Sequence, residues 1–330
     1  MKQFLQKKAK LVFLCMLVLL TCTACANPRG RDGKTLADQI IASEETTIDA
    51  SKINYKDISD KKLKKEIKKN IKDGQYTIQP TTFKNSMSKG WFEGLIVWPI
   101  AQIINLISSK TDAGVGIILT TLLIQMLVFV FTRKSQMSTQ RMQEIQPEIQ
   151  KIQNKYKDKT DERSKMQMAQ EMQNIYQKYD IHPFGSMLIT FIQLPIMMGM
   201  YYATMRSVSV VSGSFMGISL AGTPLDGFKA FDIACISIYV LMVIFYIVSM
   251  KIPQWLKKWQ DKKDNVKVKK YAQEQTNPMA NSMNMSMYFM TAMICIMYIS
   301  WPMAMSFYWL VSSVIRVCQS LILHKVMNKK

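Results

Sequence analysis

Several polar side chains stand inside runs of sequence that are otherwise apolar, and their spacing groups them. Within the run from Ala113 to Thr132, Thr121, Gln125 and Thr132 fall at i, i+4 and i+11 and so share one helical face. In the last apolar run Trp309, Ser312, Ser313 and Arg316 lie on roughly one face over two turns. Gln193 precedes Pro195 in a third run, where the proline frees a backbone carbonyl and an amide could satisfy its neighbours. Hydroxyls, amides, an indole and one guanidinium can hydrogen-bond or attract an anion, but they do not break bonds. His182 and His324 have no nucleophile or carboxylate pattern around them, so no enzyme chemistry is expected. The six cysteines form no Cys-x-x-Cys, and there is no His-Glu-x-x-His spacing, so neither a metal nor another cofactor is expected.

These residues must be positioned by membrane helices. The 330-residue chain is 48% hydrophobic and 20% charged, values a soluble protein could share. The distribution differs: Lys-rich blocks alternate with long runs almost without charge, which is the pattern of an all-α polytopic membrane protein. The net charge of +20, from 43 Lys and Arg against 23 Asp and Glu, suits anionic lipid and ribosome contact better than DNA once membrane runs are present.

Residues 1–24 read as a signal peptide, with Lys2, Lys7, Lys8 and Lys10 ahead of the short apolar run Leu11 to Leu20. A small residue, Ala24, directly precedes Cys25, as in a bacterial lipoprotein cleavage box, so Cys25 is the expected lipidated first residue. Cys22 departs from the leucine usual in that box, and an uncleaved anchor is the alternative. Residues 25–89 are polar and Lys-rich, with one stripe at Leu63, Ile67 and Ile71 behind a cap at Ser59 or Asp60, which predicts a short helix in a mobile external tether.

Charge asymmetry then orders the spans. The run 113–132 is followed by Arg133, Lys134 and Arg141, so it enters the cytoplasm, and residues 90–110 must lie in the membrane interface rather than cross it. Further spans are expected at 184–206, 231–250, 285–301 and 303–324, the last two separated at Trp301-Pro302. The basic loop 251–284 and the tail 325–330 fall inside, giving five spans with the N-terminus outside and the C-terminus in the cytoplasm. Arg206, near the outer end of its span, is expected to reach headgroups. Between the first two spans, segment 135–180 carries the stripes Ile145, Ile149, Ile152, Tyr156 and Met168, Met172, Ile175, Tyr179 on either side of a polar turn, which predicts an antiparallel helical hairpin.

The run from Gln136-Met137 through Arg141-Met142-Gln143-Glu144-Ile145-Gln146-Pro147-Glu148-Ile149 to Lys155-Tyr156 resembles the signature of the YidC family of membrane protein insertases. His182-Pro183-Phe184-Gly185, Phe191-Ile192-Gln193-Leu194-Pro195, Asn277-Pro278-Met279, Trp301-Pro302 and Phe307-Tyr308-Trp309-Leu310-Val311-Ser312-Ser313 are similar to later family motifs, in the same order. A large external domain is missing and a lipoprotein-type signal is present, as in the Gram-positive form. The resemblance covers roughly residues 90 to 325.

That resemblance implies five helices around a polar groove open to the cytoplasm and to lipid. There the tail of a nascent membrane protein would rest before its apolar segment slides into the bilayer. It implies insertion and folding of integral membrane proteins, with lipoproteins as further clients, alone or with the Sec translocon, and contact with the ribosome. Thr121 and Trp309 match groove positions of the family, and Gln125 stands where the family usually has an arginine. Arg316 lies eight residues before His324 and Gln125 eight before Arg133, so both sit about 12 Å from the inner boundary. The positive charge has then moved from the first span to the last, unless Arg316 snorkels to the inner headgroups. A small-solute transporter would need paired intramembrane charges and an internal repeat, which are not found. A membrane-anchored adaptor acting only through the hairpin is the other alternative.

Overall fold

The computed structural model describes residues 28–157, 159, 161–181, 184–263, 289 and 291–327. The signal peptide, Cys25, residues 264–288 of the second basic loop and fourth span, and Lys329 and Lys330 lie outside the described residues. Along the chain come β1 (Thr35–Leu36), β2 (Thr46–Asp49), β3 (Ile53–Asn54), α1 (Lys61–Asn70), β4 (Gln75–Ile78), α2 (Phe83–Lys89) and α3 (Trp98–Ser108). They are followed by α4 (Ala113–Glu144), α5 (Gln146–Lys155), α6 (Glu162–Lys178), α7 (Phe184–Arg206), α8 (Val208–Ser212), β5 (Ser214–Phe215), β6 (Ile218–Ser219), α9 (Pro224–Ala230) and α10 (Ile233–Lys263). A helix at 291–298, here α11, and α12 (Met303–Met327) complete the order. The chain is mostly helical, and α4, α10 and α12 are long and apolar enough to cross a membrane. It is a multi-pass membrane protein.

The chain divides into two compact units, Met1–Thr120 with Gln193–Ala221, and Thr121–Ile192 with Gly222–Lys330. The first corrects the expectation of a tether over residues 25–89. β1 pairs with β3 in parallel and β2 with β4 antiparallel, while α1 is capped by Asp60, whose carboxylate accepts from the backbone N–H groups of Lys62 and Leu63. Ala37, Ile40, Ile48, Ile53, Ile67 and Ile78 form a core that closes on Val208 and Val211 of α8. A segment with this many lysines folds because its few apolar residues converge on a patch supplied from more than a hundred residues downstream.

Asn105 holds that arrangement from α3. Its buried amide donates to the Ile41 carbonyl at 2.9 Å and accepts from the Ser207 hydroxyl at 2.6 Å and the Ser209 N–H at 3.2 Å. Residue 41 also bridges residue 207 in parallel register. Where α4 begins, a Cβ on Gly116 would come within 2.9 Å of the Ile104 carbonyl, so only glycine permits this approach to α3. Arg206 does not reach headgroups as expected. It is buried, pairs with Glu93, and donates to the Gln39 carbonyl at 2.8 Å and its side-chain oxygen at 2.9 Å.

In the second unit two helices outrun their expected ends. α4 continues past Thr132 to Glu144, so the hairpin expected at 135–180 has its arms at α5 and α6 only. Residues 133–144 are polar but contain no Gly or Pro, and polarity alone does not end a helix; the backbone turns at Ile145, just before Pro147. α10 likewise passes Met250 and converts the first part of the expected loop 251–284 into helix. Of the hairpin stripes, Ile145, Ile149, Ile152 and Tyr156 are buried, with Met172, Ile175 and Tyr179 packed on the first two, while Met168 is half-buried and lies outside that cluster. Glu171 bridges the arms, accepting from Lys155 at 2.5 Å and from the Tyr156 hydroxyl at 2.8 Å, which holds its carboxyl below the usual range. Tyr179 donates to Glu148 at 2.6 Å. α12 packs most extensively on α10, and the turn before it is tied by the Met303 N–H to the Gly222 carbonyl at 2.7 Å.

Candidate functional site

The second unit brings together most of the polar residues singled out from sequence. α4 is inside out relative to a soluble helix: Thr121, Gln125, Thr132 and Gln140 are buried, while Leu123, Met126, Leu127, Val130 and Phe131 are exposed. In lipid the exposed apolar face costs nothing, and the polar face must be satisfied within the protein. Gln125 donates to the Ser312 hydroxyl of α12 at 3.2 Å. Two to three turns further along α4, Gln136 donates to the Thr132 hydroxyl at 2.9 Å, and that hydroxyl donates to the Val128 carbonyl at 2.7 Å. Both stripes therefore run along their helices, with Ser312, Ser313 and Gln319 buried on α12.

Arg316 lies one turn beyond Ser312 on α12. It donates to the Ser313 hydroxyl at 3.0 Å, and its guanidinium carbon is 5.6 Å from the Tyr246 ring centre and 5.9 Å from that of Trp309. Tyr298 stacks on Trp309 at 4.8 Å and 24°, and Tyr246 meets the same indole edge-on at 6.4 Å. Among the described residues no carboxylate pairs with Arg316, and its Nε is buried without a hydrogen-bond partner, as is Nε1 of Trp309. Rings attract the cation through their quadrupole without neutralising it, so the charge is held in place and still acts on its surroundings. The sequence placed Trp309, Ser312 and Arg316 on one face; it missed Tyr246, which meets the guanidinium from α10, and Tyr298, which stacks on Trp309 from α11. A lone tyrosine in an apolar run carries no signal of that role.

A family model described as 60Kd inner membrane protein matches residues 105–330. Membrane protein insertase YidC 1 of Streptococcus pyogenes serotype M1 is 30% identical over 237 residues, 72% of this chain and 75% of that protein. The chain belongs to the YidC family. Membrane protein insertase MisCA of Bacillus subtilis (strain 168) is 27% identical over 238 residues, covering 72% of this chain and 80% of its own length. Membrane protein insertase YidC 2 of Listeria monocytogenes serovar 1/2a is 29% identical over 257 residues, covering 77% and 78%. For a YidC family member, the site has an amide at Gln125 and its cation on α12. Gln193 sits half-buried on α7, in the first unit, two residues before Pro195.

Proposed function

We propose that this YidC family protein inserts and helps fold integral membrane proteins, lipoproteins among its clients, by lending their polar tails a groove within the bilayer. The observation that carries this is the inverted α4, with its polar face buried against α12 and an uncompensated guanidinium one turn away. A charge at mid-membrane costs about 2.5–3.5 kcal/mol on insertion scales, and a partner inside the groove lowers that cost for the passing tail. Thr121, Gln125 and Ser312 supply neutral hydrogen bonds, Arg316 supplies the attraction for a carboxylate, and Trp309 with Tyr246 keeps Arg316 from snorkelling to the headgroups. Gln193 serves the backbone around Pro195 rather than the client. No covalent step, metal or cofactor enters.

In this proposal the groove is walled by five spans, α4, α7, α10, the stretch 285–301 and α12, with α3 lying in the interface. The first unit faces outside behind a lipidated Cys25, and the α5/α6 hairpin, the basic loop after α10 and the C-terminus lie in the cytoplasm, where ribosome and Sec translocon engage.

The test is insertion of a single-span protein with an acidic external tail into liposomes containing only this protein, scored by protease protection. Wild type protects the tail; failure to do so at any protein-to-lipid ratio overturns autonomous insertion. Deleting residues 140–178 in the same assay separates groove from adaptor: the groove retains part of its activity, or activity toward some clients, whereas an adaptor loses all of it. Tyr246 gives a finer check. Tyr246→Phe keeps the ring and wild-type insertion, while Tyr246→Leu releases the guanidinium and lowers insertion of the acidic tail about fivefold, the equivalent of about 1 kcal/mol of cation–π attraction. An uncharged tail inserts equally with both variants.

A further inference from the structure

α10 and α11 leave a cavity of about 320 Å³ between them. Val243, Ile247 and Met250 line it from α10, Thr291, Ala292 and Cys295 from α11, and Lys251 stands at one end. Ile247 and Ala292 are exposed, so the cavity is an open crevice on the surface of a membrane helix pair. Its wall on α10 runs from Val243 to Lys251, about 12 Å at the helical rise. Hydrocarbon of the bilayer meets such a surface, and an unfilled apolar crevice there forfeits dispersion contacts along its whole lining. A linear apolar slot with a single ammonium at the end nearest the membrane boundary has the shape and charge of one molecule: an acyl chain with an anionic head.

We propose that this crevice is a binding site for an anionic phospholipid of the leaflet at the Lys251 end of α10, one acyl chain lying between α10 and α11 and the phosphate resting on Lys251. The crevice selects for chain because its lining carries one hydroxyl, Thr291, which already lies 3.5 Å from the Met250 sulfur. Lys251 selects for net negative charge, since a zwitterionic head brings its own cation to the same place. Trp255 and Trp259, exposed at i and i+4 on the continuation of α10, with Lys257 and Lys258 between them, extend the same chemistry into the headgroup layer. The inference rests on α10 crossing the membrane and is independent of whether the groove inserts clients.

The experiment is native mass spectrometry of the full-length chain released from micelles containing equal amounts of phosphatidylglycerol and phosphatidylcholine. Wild type should retain one phosphatidylglycerol about fivefold over phosphatidylcholine, the preference a single lysine at an anionic surface confers. Lys251→Gln should bring the two lipids to parity while keeping total retention, and Ala292→Phe, which fills the crevice from α11, should lower retention of both. Unselective retention by wild type, unchanged selectivity in Lys251→Gln, or unchanged retention in Ala292→Phe each overturns the site. Circular dichroism of the variants checks that they keep the wild-type helix content. A second arm uses the thiol at Cys295: photocrosslinking from it should capture lipid, and capture of a client's apolar segment in its place overturns the assignment to lipid.

Discussion

Replacing Arg316 with alanine lowers the insertion of an acidic-tailed client by one to two orders of magnitude and leaves an uncharged tail unaffected. The size follows from what is removed. A hydrogen bond to a charged group contributes about 1.5–3 kcal/mol, roughly 10- to 150-fold in the loading equilibrium. Arg316→Lys keeps the charge but loses the planar fork and its stacking between Tyr246 and Trp309, so it restores only part of the activity. The decisive variant is the double exchange Arg316→Ala with Gln125→Arg. Gln125 reaches Ser312, one turn from residue 316, so a guanidinium grown from α4 enters the same neighbourhood, at the position where the family resemblance expects it. Protease protection of the acidic tail should recover in this pair. If Arg316→Ala and Arg316→Lys both insert that tail at wild-type rates, the moved-charge proposal is wrong and Arg316 has a structural or lipid-facing role.

The second large effect is on stability, and it concerns Arg206. Only 5% of its side chain and 13% of that of Glu93 are accessible, so their pairing is a buried ion pair and not a surface one. Removing one partner leaves the other charge stranded in low dielectric, which costs about 3–5 kcal/mol, a large fraction of ordinary folding stability. Arg206→Ala also strips two hydrogen bonds from Gln39, which lies between β1 and β2 in the chain. The expected results are a midpoint shift of this size in denaturant-induced loss of helicity in detergent, and faster tryptic cleavage among the lysines of α1. Replacing both partners, Arg206→Met with Glu93→Leu, should recover most of the loss because no charge is then buried alone. A loss below about 1 kcal/mol for Arg206→Ala, the range of exposed pairs, would return this arginine to the headgroups.

Where a single helix carries its own pattern, the chain could be read directly. The stripes of the hairpin arms and the shared face of Thr121, Gln125 and Thr132 are local, because the period of 3.6 residues places them before any tertiary contact is known. Helix ends were less legible. The hydrophobic runs of α4 and α10 stop at Thr132 and Met250 but the helices do not, because a bilayer boundary changes polarity without breaking the i to i+4 ladder. The small strands over residues 35–78 left no local signal at all. They are two to four residues long, and their core is closed by Val208 and Val211, which no window along the chain can contain. In the site, the hydrogen-bonding groups were visible as polar exceptions in apolar runs, whereas the aromatic rings around Arg316 were hidden among residues equally suited to lipid contact.

The closing of that small core by α8 sets a timetable for biogenesis. Residues up to Ile78 contain nearly all of the module, yet Val208 and Val211 emerge about 130 residues later, a wait of about 7–26 s at 5–20 residues per second. During that interval Ile40, Ile48, Ile53 and Ile67 have no complete surface to bury against, and residue 41 lacks the bridge to residue 207 that aligns it. The segment holding β1 to β4 must therefore travel as an open polypeptide while α4 and α7 are being made, and its core closes only when α8 arrives. A protein that places other membrane proteins is itself finished from the middle, with residues 35–78 among the last to become structured.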